Sequence, residues 1–153
     1  MPTGYALLKL LHLVAVVLFL GNVTFGLFWV KHAERERDAK LIAHAMRGVI
    51  RSDRWFTVPG VFLIIIGGTA AAGIGGLRLL HTPWITWSIA MFALSGAVFG
   101  MFIAPLQRRI AATAESIDAP QLAALLGRWH LWGWASVLPL WIAVAFMVLK
   151  VPT

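Results

Sequence analysis

Residues 4–30 read GYALLKLLHLVAVVLFLGNVTFGLFWV, an apolar run with His12 and Asn22 set inside it. The hydrocarbon core of a bilayer takes about 20 apolar residues at about 1.5 Å each, so this run crosses. It is too long for a secretory signal core and lacks a basic leader and a small-residue cleavage site, so it reads as a retained helix. A histidine at that depth is costly in lipid and faces a bundle interior, pairs with another group, or marks a site. At about 100° per residue, His12, Ala15, Phe19, Asn22 and Gly26 share one sector of the helix.

Three more runs of the same kind follow, giving spans at about 5–30, 55–77, 84–106 and 128–150. Hydrophobic residues make up 60% and charged residues 12% of the 153 residues, against about 25% charged in soluble domains. The sequence therefore predicts an all-α, single-domain, integral membrane four-helix bundle in contact with the lipid bilayer. The absence of cysteine excludes disulfides, thiolate metal sites and a cysteine nucleophile. The formal charge of +7 sits in loops flanking the spans, where topology and anionic lipid explain it, so no nucleic-acid partner is expected. Gly73, Gly75 and Gly76 lie at a helix end without a Walker lysine, and no Gly-x-Ser-x-Gly or His-Glu-x-x-His occurs, which disfavours nucleotide binding and hydrolysis. No Asp or Glu falls inside the four spans, so a proton relay through membrane carboxylates has little support.

Between the spans, residues 31–54 place Ile42, Ala43, Met46 and Val49 at helical spacing, an amphipathic helix expected at the membrane surface or continuing the first span. Residues 107–127 form a second polar connector, with Asp118 as N-cap and Pro120 in the first turn of a short surface helix. Pro59 is expected in the first turns of the second span, and Pro139 predicts a kink in the fourth. Gly60, Gly68, Ala72 and Gly76, and separately Gly96 and Gly100, form small-residue stripes that let helices approach closely in lipid. Ten lysines and arginines lie on the connector side and three (Lys9, Arg78, Lys150) on the other, predicting two cytoplasmic connectors and both termini outside. His12 then lies about 10 Å below the outer interface, at the depth of Met91, while His130 lies near the inner one, where it could meet His32.

The stretch YALLKLLHLVAVVLFLGNVTFGLFWVKHAE (5–34), RWFTVPG (54–60) and the ending WASVLPLWIAVAFMVLKVP (134–152) resemble a small four-helix bacterial integral membrane family of unknown function. That family is related to bacterial four-helix protoporphyrinogen oxidases and to copper-resistance protein D. The order of His12, His32-Ala33-Glu34 and Val58-Pro59-Gly60 carries the resemblance. It implies that His12 matches a first-helix histidine associated with b-type haem. A lysine important in the oxidases would stand where PWITWSI has Ser88, a departure that puts porphyrinogen oxidation in doubt. The resemblance thus implies a small bacterial inner-membrane haem b protein in electron transfer or cofactor oxidation, with quinone or another electron-transfer partner. His12 is then the metal ligand, and Met91 and His130 are further cofactor-binding candidates. The alternative is a transporter or complex-supporting protein without haem, in either case open to homo-oligomerisation. The plainer readings are that His12 is a packed residue bonded to a group such as Asn22, Met91 a core filler, His130 an interfacial side chain, and Ser88 and Ser95 helix-to-helix hydrogen bonders.

Overall fold

The computed structural model describes residues 3–153, and they form four antiparallel helices. These are α1 (Thr3–Arg35), α2 (Ala39–Ile74), α3 (Pro83–Thr113) and α4 (Ala119–Leu149). Each is apolar enough to cross a membrane. Sequence neighbours pack side by side, and α4 returns to α1 to close the bundle. The expected four-helix architecture is therefore present.

Length is where the structure departs from the expectation. The helices run 31 to 36 residues, or about 46–54 Å, against about 30 Å of hydrocarbon. The excess belongs at the connector end, where the charged residues are. Residues 31–54 are not a surface helix lying on lipid: α1 continues to Arg35, and α2 has begun by Ala39. Residues 107–127 likewise divide between the end of α3 and the start of α4, leaving only a short turn. The apolar face of the amphipathic segment is buried inside the bundle. Val30, Met46, Ile110 and Trp129 are the largest fully buried side chains, with Leu27, Ile42, Leu122 and Leu125 around them.

Two tight turns make this end compact. Arg37 adopts a left-handed conformation (φ +53°) and Asp38 accepts the Lys40 N–H at 2.8 Å, capping α2. Asp118 accepts the Gln121 N–H at 2.8 Å, so the predicted cap is real, but it opens the whole of α4. At the opposite end, Gly76 (φ +69°) terminates the second helix, with the Leu77 N–H closing onto the Ala72 carbonyl at 2.9 Å.

Prolines explain two further features. Pro59 and Pro105 stand inside α2 and α3, and each is preceded by a π-helical turn, Asp53–Thr57 and Phe99–Ile103. A proline has no N–H to give and its ring crowds the carbonyl four residues back, so the helix widens by one residue just before it. The Val58 and Ala104 N–H groups accordingly reach back five residues, to the Asp53 and Phe99 carbonyls. Pro59 thus stands in the first turn of the α-helical stretch Val58–Ile74, which the π-turn joins to the preceding segment in one continuous helix. Pro139 is buried within α4, which continues through it.

Candidate functional site

His12 sits on α1 against the glycines of α2. An ideal Cβ on Gly68 would stand 2.9 Å from the imidazole, and one on Gly67 3.4 Å from the His12 backbone. The missing side chains are what let His12 pack closely against α2. From there His12 Nδ1 reaches the Ile64 carbonyl at 2.9 Å. A carbonyl only accepts, so Nδ1 carries the proton, and in the neutral ring Nε2 is the nitrogen with the lone pair. Among the described residues Nε2 forms no hydrogen bond. Asn22, the partner considered from sequence, is engaged elsewhere.

The two helix pairs stand apart around this level. No Cα of Pro83–Val98 lies within 8 Å of α1 or of Val58–Ile74, and long side chains fill the interval, with Phe19 and Phe92 ring centroids 5.7 Å apart. Met91, beside Phe92, is half-buried on the far pair. Ser88 is buried and bonded to the Ala143 carbonyl at 3.1 Å, and Ser95 meets Ser136 at 3.0 Å, so both join α3 to α4 as expected of hydrogen bonders. Of the small-residue stripe on α2, Gly60 (3.1 Å to Phe19) and Gly68 meet α1. Gly96 and Gly100 meet nothing within 4 Å among the described residues, so that pair is no helix contact within this chain.

His130 belongs to the other end. Its Nε2 is hydrogen-bonded to Glu34 Oε1, while Lys31 Nζ donates to Glu34 Oε2 at 2.7 Å. His12 and Glu34 are 22 residues apart on one helix, or about 33 Å, so His12 and His130 cannot share an ion. His130 also meets Glu34 and not His32, whose ring stacks on Phe28 along α1.

A third group escaped sequence reasoning. Asp53, buried in the π-turn of α2, accepts hydrogen bonds from Asn22 (3.2 Å) and Thr57 (2.7 Å) on one oxygen and from Gln107 (2.9 Å) on the other. Asn22 also donates to Thr57 at 3.0 Å. Three helices are thereby tied to one carboxylate that has no cation within 4.0 Å among the described residues. Asn22 and Gln107 are 31 and 54 residues from Asp53, and Asp53 next to Arg54 looks like connector charge. The available signal was an aspartate six residues before a helix-interior proline. Among the described residues no three His, Asp or Glu side chains gather as a metal site.

The family described as "Predicted integral membrane protein (DUF2269)" matches residues 6–151. No curated protein matches the chain, and no solved structure does. The chain belongs to that family and is a multi-pass membrane protein.

Proposed function

For this member of a family of integral membrane proteins, we propose a small haem b protein working in electron transfer or cofactor oxidation, with His12 as the ligand. The observation that supports this is the His12 imidazole, anchored through Nδ1–H to a backbone carbonyl with Nε2 uncommitted. That is how metal-ligating histidines are held, since the second hydrogen bond fixes tautomer and ring orientation. The donor chemistry fits: His12 would supply an imidazole and Met91, on the pair across the interval, a thioether as a second ligand. His130, bonded to Glu34 about 33 Å away along α1, takes no part in this site. Haem would supply one-electron redox chemistry, while the chain supplies the ligand, the apolar surroundings and exclusion of water. A site about 10 Å inside the bilayer suits a lipid-soluble quinone as electron partner. The basic bias supports connectors in the cytoplasm and termini outside, and the resemblance to bacterial proteins supports a bacterial inner membrane. Reporter fusions at residues 38 and 116 should read cytoplasmic, and the reverse pattern would invert the assignment. Protein purified from haem-sufficient membranes should show a Soret band, and one that shows none and takes up no haem contradicts the reading.

The Asp53 cage favours a second reading, proton- or cation-coupled transport, because a lone buried carboxylate where three helices meet is the kind of group such transport uses. Asp53→Asn separates the two. It should leave a haem spectrum intact, whereas under the transport reading it abolishes ion-coupled flux in proteoliposomes.

A further inference from the structure

Between the end of α3 and the start of α4 lies an open groove of about 250 Å³. Arg109 on α3 and Arg128 on α4 line it with the polar side chains of Thr113 and Gln121 over an apolar floor of Ile117 and Leu125. Neither arginine has a carboxylate within 4.0 Å among the described residues. The nearby acids are committed elsewhere: Glu115 lies 3.9 Å from Arg47, and Asp118 holds the Gln121 N–H at 2.8 Å. Two guanidiniums lining one groove repel each other unless an anion joins them, and their planar forks match phosphate oxygens.

Depth identifies the source of that anion. Phe102 and Trp132 stack at 3.8 Å across α3 and α4, an aromatic pair of the sort found at the membrane boundary. Arg128 is four residues beyond Trp132 and Arg109 seven beyond Phe102, or about 6 and 10 Å further out. That is the headgroup layer. We propose that this groove binds a phosphate-bearing anion, the headgroup of an anionic phospholipid, with Arg109 and Arg128 on the phosphate and Thr113 and Gln121, further from the bilayer on the same two helices, on the polar group beyond it.

The test uses the full chain in mild detergent, with native mass spectrometry against phosphatidylglycerol, phosphatidylcholine and inorganic phosphate. Phosphatidylglycerol should be retained about tenfold or more over phosphatidylcholine, given the attraction of two arginines. Arg109→Gln with Arg128→Gln should lose that preference, the paired Lys substitutions should keep part of it, and Arg78→Gln at the opposite end should keep all of it. Saturable binding of inorganic phosphate that the double Gln variant loses, without lipid preference, supports the phosphate site with a soluble ligand as its source and overturns the lipid assignment. No preference for either probe, or a double Gln variant that retains the preference, overturns the site itself.

Discussion

At the connector end Val30, Met46, Ile110 and Trp129 interlock as large apolar side chains with almost no exposure, whereas at the termini end α1 meets α2 across Gly60, Gly67 and Gly68 with an imidazole in the seam. The solvent explains the difference. Beyond the hydrocarbon the helices stand among headgroups and water, where burying apolar area is itself the driving force. Within lipid a leucine gains little by turning inward, so helices associate through close backbone approach and hydrogen bonds. Leu10, Val17, Ile66 and Val148 accordingly stay exposed on the lipid side, and the bonds from Nδ1 of His12 to Ile64 and from Ser88 to Ala143 supply the specificity that a packed core supplies at the other end.

The largest effect should come from cutting the packed end. Trp129→Ala should lower stability by about 3–5 kcal/mol, read by thermal denaturation in detergent, as expected for emptying a large core site. Trp129→Phe should cost far less, because the indole N–H is buried with no hydrogen-bond partner among the described residues, so no protein hydrogen bond is lost. A tolerated Trp129→Ala would mean that this end is not held by its core.

On the glycine seam, Gly68→Ala puts a methyl where the imidazole is, and relieving that overlap should cost about 1–3 kcal/mol and break the bond from Nδ1 to Ile64. Gly67→Ala, with 3.4 Å of clearance to the His12 backbone, should cost less. Equal effects at both positions would show that the seam is not shaped around the imidazole. The smallest effect belongs to Gly96→Ala. With nothing within 4 Å, the change should be neutral or stabilising by up to about 1 kcal/mol from helix propensity alone. A loss of stability or a change in oligomeric state there would reveal a second copy packed on that face.

How far the sequence could be read divides along the same line. Hydropathy exposed the four membrane runs because lipid demands an unbroken apolar stretch, and the wheel grouping of His12, Ala15, Phe19, Asn22 and Gly26 picked the inward face of α1, on which Ala15, Phe19 and Gly26 are buried. The packed end was harder. The periodicity of Ile42, Ala43, Met46 and Val49 was visible, but an amphipathic helix facing lipid headgroups and one facing a protein core have the same pattern, and only the tertiary fold distinguishes them. The Asp53 cage was invisible for another reason. Its members on α1, α2 and α3 come together through helix register, and a π-turn shifts that register by one residue at Asp53 itself. The glycines of α2 were read as a packing stripe, but that the stripe is built around a histidine ring depends on which helix docks there.

The most direct test is the optical spectrum of haem-loaded protein carrying His12→Leu beside one carrying His130→Leu. Leucine keeps the apolar volume and removes the donor. We expect His12→Leu to lose or sharply shift the Soret and α bands while remaining an inserted, folded four-helix protein, and His130→Leu to retain them. A His12→Leu protein with an unaltered haem spectrum, or a wild type that takes up no haem, would contradict the assignment and leave His12 as a polar residue satisfied within the seam between α1 and α2.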